Sequence, residues 1–481
     1  MNVISSNEPC AIVVDLDGTL VRTDLLIEGF AQLFSQDQFA AIRTLGELAR
    51  GKAAFKAAIA AQADLDIASL PYNQDVLTWL EERRSEGHRL YLASAADQKL
   101  VGEIADHLGF FHGWLASEGT TNLAGDSKAA RIQELLEGRP FIYLGNEAAD
   151  LPIWQVAAGC VGVNCSGRIK RTLLSDANGK QPTFIGDRKG TWRSWIKLIR
   201  IKQYVKNALV AVPLLASHQF TSSNLGLTLL AIVAFSLCAS SVYILNDLID
   251  IESDRAHPTK RKRPLAAGDV PILWAVPVAV CLSIVAFGIA SLIGVLFFLL
   301  LAAYFLLTFA YTLMLKRKMM VDIVTLALLY SLRILAGSAA IGVFPSEWLL
   351  GFSLFIFLSL ACVKRYIELA RRLDSGKQGR LANRNYDVAD LSIVGSLAAA
   401  SGFNAVTFQA LYISSDAVRK LYPHPQFLWI TCPIMIYWIG RNLLLANRRL
   451  MHDDPIVFAL DDCPSIACGA LIGVAAVAAA W

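Results

Sequence analysis

The sequence predicts two domains of different class: an N-terminal α/β domain with a doubly wound, mostly parallel sheet, and a C-terminal all-α bundle of nine transmembrane helices. Three observations predict it. The chain of 481 residues exceeds one ordinary domain, and a hydrophobic share of 55% with 17% charged residues excludes a disordered or wholly water-soluble protein. Charge is split along the chain: residues 1–190 hold 18 Lys+Arg against 24 Asp+Glu, net −6, and residues 191–481 hold 26 against 16, net +10, recovering the overall +4. Finally, short β-branched runs alternate with amphipathic segments in the first part, whereas apolar stretches near membrane-spanning length recur through the second. Nucleic-acid binding is disfavoured, because the positive charge sits between apolar runs. Nine scattered cysteines without a CxxC pair argue against a zinc site and a disulfide framework, and polar Met1–Glu8 gives no sign of a secretory signal.

In the first part, Ala11-Ile-Val-Val-Asp15 reads as a buried strand meeting turn residues at once. Arg89–Ala93, Phe141–Leu144 and Cys160–Val163 read likewise, separated by amphipathic segments such as Gln98–Leu108 and Lys128–Leu136. Chemistry in such a fold sits at the carboxyl ends of the strands. Asp15-Leu-Asp17-Gly18-Thr19-Leu20 leaves the first strand there with two carboxylates two apart, one able to attack phosphorus while the other handles the leaving-group proton. Gly18 permits the tight turn. Ser94 ends the second strand, Lys128 opens a helix, and Gly145-Asn146-Glu-Ala-Ala-Asp150 follows a further strand.

These four stations, in this order, resemble the haloacid dehalogenase (HAD) superfamily of phosphohydrolases over about residues 9–165, which implies a Rossmann-like HAD domain. The resemblance makes Asp15 the nucleophile, Asp17 the general acid/base, Ser94 and Lys128 the phosphate-holding pair, and Asp15, Asp17 and Asp150 the Mg²⁺ ligands. The helix-patterned segment from about 21 to 71 would be a small cap. Asn146 stands where the family usually has Asp, which removes a negative charge and should lower metal affinity. A HAD fold kept for scaffolding or regulation therefore stays open.

After Trp192 and Trp195, suited to anchor at a membrane interface, nine apolar spans follow at roughly 201–217, 224–245, 271–289, 291–313, 321–343, 348–363, 392–415, 427–446 and 464–481. The first and sixth are short enough to be tilted or broken. Loops 246–270, 314–320, 364–391 and 447–463 hold 5, 3, 7 and 2 Lys+Arg, and the other connections hold only Arg419 and Lys420. The basic loops therefore face the cytoplasm of a bacterial inner or plasma membrane, and the N-terminal domain with them. Expected boundaries are 1–167 for that domain, 168–195 for a polar linker containing Asn178-Gly179 and Gly186, and 196–481 for the membrane domain.

Asn246-Asp247-Leu-Ile-Asp250-Ile-Glu-Ser-Asp254 spaces carboxylates at i, i+3 and i+7, one helical face whose oxygens could hold Mg²⁺ against a diphosphate. His257-Pro258-Thr259-Lys260-Arg261-Lys262-Arg263-Pro264 follows, with cations placed for phosphates or for the acids. This run, NDxxDxxxD and then DRxHPxKxxRPxxxG ending at Gly268, resembles the first signature of the UbiA superfamily of membrane prenyltransferases, and nine spans fit that type. A thinner second acidic motif reads Lys364-Arg365-Tyr366 and then Tyr386-Asp387-Val-Ala-Asp390. Arg200-Ile-Lys-Gln203-Tyr-Val-Lys206-Asn207, Asp322 and Arg333 of the fifth span with Gly337 after them, and His452-Asp453-Asp454-Pro455 resemble one branch, the decaprenyl-phosphate 5-phosphoribosyltransferases. An Asp322–Arg333 ion pair without a substrate role stays open.

The resemblance implies that Asp247, Asp250 and Asp254, with Asp387 and Asp390, hold Mg²⁺ around a departing diphosphate. Lys206, Lys260, Arg263 and Lys364 would contact its oxygens, and Asn207, Asn246, Arg333 and Tyr386 would contact substrate. A polyprenyl phosphate would take 5-phosphoribose from phosphoribosyl diphosphate, and the HAD domain could dephosphorylate the product. The rival is transfer of a prenyl group from a prenyl diphosphate lipid to an aromatic or other ring. A membrane-anchored phosphohydrolase on a lipid-binding scaffold is a third reading, and a homo-oligomeric state stays open.

Overall fold

The computed structural model describes residues 9–118, 123–175, 181–186, 192–257, 259–376, 379, 384–451 and 454–481. Pro258, Asn178-Gly179 and His452-Asp453, all named above, lie outside these. The chain divides into two compact units, Met1–Ile199 with Tyr243–Ala279, and Arg200–Val242 with Val280–Trp481.

In the first unit, Ala11–Val14 (β1) is an unbroken apolar run because it lies inside a parallel sheet with both faces covered. The other strands are Arg89–Asp97 (β2), Gly113–Ser117 (β3), Phe141–Gly145 (β4), Gly159–Val163 (β5) and Thr183–Ile185 (β6), in the spatial order β3-β2-β1-β4-β5-β6. Val14 pairs in parallel with Leu92 on one side and Leu144 on the other. The two-residue period sorts the core: Ile12, Val14, Leu90, Leu92, Ile142 and Leu144 fill one face, Val13, Phe141, Tyr143 and Cys160 the other. Strand order reverses between β1 and β4, which opens a crevice at their carboxyl ends.

Four strands stand where the sequence puts them. β3 and β6 are edge strands without a strong apolar run, and β2 runs four residues beyond Ala93. The stretch 168–195, read as a linker, carries the helix Gly167–Ser175 and then β6, which pairs with β5. The expected cap is helical, with Leu25–Gln36 (α1), Gln38–Thr44 and Lys52–Gln62 in sequence, and a small core of Phe55, Ile59 and Ala63 against Leu26 and Phe30.

Eight described helices are long and apolar enough to cross a bilayer: Ser222–Ile249, Ile272–Ile293, Val295–Leu313, Val321–Ile341, Glu347–Asp374, Val388–Ser414, Pro425–Asn447 and Cys463–Ala480. Their large apolar side chains face outward at Leu292, Val295, Ile284 and Leu306, as a lipid-facing surface requires. The chain is an integral membrane protein. The first of the nine expected spans is the broken one, a 3₁₀ stretch Ile201–Ala211 followed by the short helix Val212–Ser217. The sixth does not stop at 363. It continues as helix to Asp374, because Lys364 and Arg365 meet no helix breaker and Arg365 pairs with Glu368 one turn on.

Candidate functional site

At the crevice of the sheet, the turn after β1 brings Asp15 to Lys128, whose Nζ lies 2.6 Å from Oδ1, while the Thr19 hydroxyl donates to Oδ2 at 3.3 Å. Asp17 accepts a backbone hydrogen bond from Leu25, the first residue of α1, at 2.9 Å. The Asp150 carboxylate accepts from Tyr143 Oη and from the Asn146 and Glu147 amides, which fixes the turn after β4. Asp15, Asp17, Lys128, Asn146 and Asp150 line a cavity of about 210 Å³, together with Asp24, Leu25, Lys56 and Asp97.

Burial pushes the Asp15 carboxyl up to about 6 against the pull of Lys128. Burial, with the neighbouring charge of Asp24, pushes Asp17 up to about 8. One carboxyl thus tends to ionise before the other, the division that nucleophile and acid require. Ser94 is the exception among the expected residues. It is wholly buried, and its Oγ accepts from the Ala96 amide, so β2 presents Ala95, Ala96 and Asp97 to the cavity instead.

The first acidic motif lies at the end of the helix Ser222–Ile249 and on the short helix Ile251–Arg255. Asp247 and Asp254 are buried, and both carboxylates meet Nη1 of Arg263, at 3.1 and 2.5 Å. Burial raises Asp254, opposed by Arg263 and then Lys260. Asn246 and Asp250 are half-buried beside them, and Lys260 is exposed. Among the described residues, no group of three or more His, Cys, Asp or Glu side chains is arranged as a metal site. Yet the two acids reach one shared cation, and carboxylate oxygens suit a hard divalent ion.

In the second unit, the 3₁₀ stretch turns Lys206 and Asn207 inward, both buried. Eleven consecutive 3₁₀ residues are uncommon, and such stretches often mark functional segments. Lys206 pairs with Asp454, which also caps the helix Pro455–Asp461 through the Ile456 amide at 3.1 Å. Lys206 and Lys364 both hold the Asp454 carboxyl below its ordinary range, although burial opposes them. Arg333 donates to Asn207 Oδ1 at 3.0 Å, to Tyr304 Oη at 2.9 Å and to the Leu329 carbonyl at 2.6 Å, with Tyr330 under its guanidinium. At Gly337 a Cβ would sit 2.0 Å from the Val210 carbonyl oxygen, so only glycine lets the 3₁₀ stretch pack there.

Asp322 and Arg333 stand eleven residues apart on one helix, about 16 Å along its axis, too far to pair. Asp322 instead meets Arg365 at 2.7 Å and Arg384 at 3.5 Å, and accepts from Tyr386 Oη at 2.6 Å. Tyr386, expected at a substrate, is buried in that network, where its hydroxyl also accepts from the Met320 amide at 2.7 Å. Asp387 and Asp390 form a capping box ahead of the helix Leu391–Ser414, with Asp387 accepting from Ala389 and Asp390 from the Asp387 amide. Sequence reading missed Lys56, Asp24 and Arg384. Only the basic share of the loop 364–391 hinted at Arg384, and nothing in the cap singled out Lys56.

The UbiA prenyltransferase family model matches residues 207–449. A relative from Sinorhizobium fredii, the uncharacterized protein y4nM, is 35% identical over 97% of this chain and 90% of its own length, so the likeness spans both parts of this chain. A decaprenyl-phosphate phosphoribosyltransferase from Corynebacterium glutamicum is 34% identical over 47% of this chain and 69% of its own. Among solved structures, a UbiA homologue from Archaeoglobus fulgidus bound to GPP and Mg²⁺ is 14% identical, covers 59% of this chain and 99% of its own, and superposes with a TM-score of 0.46.

Proposed function

Because the chain belongs to the UbiA prenyltransferase family, we propose that it transfers 5-phosphoribose from phosphoribosyl diphosphate to a polyprenyl phosphate at the cytoplasmic face of the membrane. A phosphate oxygen of the lipid forms the new bond to the anomeric carbon of the ribose. The bond from that carbon to diphosphate breaks, and diphosphate leaves with the electron pair. Bound Mg²⁺ would stabilise charge on the departing diphosphate; Asp247, Asp250 and Asp254 are the residues to hold it, and Asp387 and Asp390 offer a second acidic set. The capping bonds of Asp387 and Asp390 leave lone pairs on both carboxylates. Arg263 and Lys260 hold diphosphate oxygens, and Lys206, Lys364 and Arg333 hold phosphate groups within the bundle.

One observation carries the choice of substrate. Beside the 3₁₀ stretch, Lys206, Asn207, Tyr304, Tyr330 and Arg333 meet one another in a polar and cationic cluster whose chemistry suits a sugar phosphate. An aromatic or other ring acceptor would be served by apolar side chains there. Incubating membranes with labelled phosphoribosyl diphosphate and polyprenyl phosphate tests this: the label should appear in lipid. Absence of label while an aromatic acceptor is prenylated would replace this reading with the rival.

The N-terminal domain acts, in the same reading, as a phosphohydrolase on the 5-phosphate of the product: Asp15 attacks phosphorus as the bond to the ribose 5-oxygen breaks, Asp17 protonates that oxygen, and water then cleaves the acyl phosphate on Asp15 to release phosphate. Lys128 and Lys56 would neutralise the phosphate. Asp15, Asp17 and Asp150 would share Mg²⁺ with the amide oxygen of Asn146. The cavity with its two divided carboxyls supports it, and release of phosphate from the lipid-linked product by the full chain, lost in Asp15→Asn, is the test.

A further inference from the structure

The segment Tyr243–Ala279, which carries the first acidic motif, belongs to the same compact unit as the N-terminal domain. Arg255 is the residue after Asp254. Its guanidinium meets the Glu28 carboxylate in a fork, Nη1 to Oε2 at 3.0 Å and Nη2 to Oε1 at 2.5 Å, with side chains only 6% and 1% exposed. Its Nε donates to the Ala266 carbonyl at 3.0 Å, which folds the basic loop back on the same residue. Glu28 lies on α1, one turn from Leu25, whose amide holds Asp17 and whose side chain lines the hydrolase cavity.

Other contacts of this segment run to the same region. Gln32 of α1 reaches Glu252 at 3.5 Å, and Arg22 faces Asp269 at 3.9 Å. Gly268, at φ +70, lies so close that a Cβ would stand 2.7 Å from that of Arg22, so the loop is fitted to the turn below the cap. A fully buried two-pronged ion pair is costly to separate, because either charge left alone in the interior is strongly unfavourable. Asp254 and α1 are therefore fastened to each other through adjacent residues.

We propose that the Arg255–Glu28 pair is a mechanical link between the two sites: a diphosphate and Mg²⁺ held at Asp247 and Asp254 order α1, and thereby the cap that carries Leu25 and Lys56 over the hydrolase cavity. Arg255 and Glu28 are positioning residues and touch neither substrate. The inference rests on the reading that the acidic motif holds a metal diphosphate. The hydrolase would then be set by the state of the transferase loop, which suits a pair of sites acting in turn on one lipid product.

Hydrogen–deuterium exchange on the full chain in lipid nanodiscs tests it, with Mg²⁺ and inorganic diphosphate as the probe. In the wild type the probe should slow exchange in 251–269 and also in Leu25–Gln36, the latter at least about fivefold. In the double variant Glu28→Met with Arg255→Met, protection of 251–269 should remain while that of α1 is lost. Replacing both members by apolar side chains leaves no stranded charge, so the fold should survive. In Asp247→Asn both protections should vanish. Protection of 251–269 without protection of α1 in the wild type overturns the link, as does α1 protection that persists in the double variant or in Asp247→Asn. No protection of 251–269 overturns the metal-diphosphate reading itself, and the link with it.

Discussion

The two acidic centres of this protein solve one problem, holding several negative charges together, in different ways. At the sheet, Asp15 and Asp17 are set by strand ends and backbone amides, and Lys128 touches the first of them. Much of their mutual repulsion is absorbed by protonation, since burial raises both carboxyls. At the bundle loop, Asp247 and Asp254 are drawn together by a long arginine that both share, with Lys260 near. The first centre is organised before any ligand arrives. The second has a cation already at its focus, which a metal would have to displace. A backbone-built site gains precision from the fold, and a side-chain-built site gains adaptability at the cost of a rearrangement.

The sharpest way to break this comparison is to remove one centre at a time. Asp247→Asn should lower lipid phosphoribosylation by at least about a thousandfold and, assayed with no diphosphate present to order the cap, leave phosphate release from a soluble phosphomonoester at its usual rate. Asp15→Asn should do the reverse. If Asp247→Asn lowered both activities equally, the two centres would not be separate sites. Chelating Mg²⁺ should stop both.

A smaller effect is expected inside the bundle. Arg333→Met removes one hydrogen bond from Asn207 Oδ1 and one from the Tyr304 hydroxyl, at about 1 kcal/mol apiece, and removes a cation facing the proposed phosphate site. Transfer should fall about a hundredfold, with a lower melting temperature. Arg333→Lys should recover the fold better than the activity, because an ammonium cannot reproduce three directed contacts. Full activity in Arg333→Lys would show that only charge matters there.

These residues also show what could be read ahead of the structure. Asp15, Asp17 and Lys128, and the acids with their arginine in 246–263, lie on local patterns whose spacing carries the chemistry. They meet because strand ends and helical faces bring them together. The Asp322 network was not legible in that way. Arg365, Arg384 and Tyr386 meet Asp322 from positions 43, 62 and 64 residues away, and only the packed bundle decides such pairings. The edge strands β3 and β6 escaped for a related reason, since an edge needs fewer apolar residues than a central strand.

The sheet site, if it hydrolyses phosphomonoesters as proposed, should show its divided carboxyls in the pH dependence of kcat/KM. Below the Asp15 value the nucleophile carries a proton and cannot attack, so activity rises with pH through that limb. Above the Asp17 value the acid has lost the proton it donates, so activity falls. In the metal-free protein these two carboxyls lie at about 6 and about 8. Mg²⁺ favours both ionised forms, so in the assay both limbs should lie at or below those values. A profile flat from pH 5 to 9 would remove Asp15 and Asp17 from the roles given them.

The mildest change tests the amide at the focus of the sheet site. Asn146 Oδ1 accepts from Thr19, whose hydroxyl also faces Asp15, so this side chain already points its oxygen at the nucleophile's neighbourhood. Asn146→Asp keeps that shape and adds one charge beside Asp15 and Asp17. Without metal the added repulsion should raise the pKa of both carboxyls further. With metal, the same charge becomes a better ligand, so the Mg²⁺ concentration for half-maximal hydrolysis should fall about tenfold while lipid transfer is unchanged. An unchanged Mg²⁺ requirement would mean that position 146 does not face the ion, and that the sheet site binds its metal through Asp15, Asp17 and Asp150.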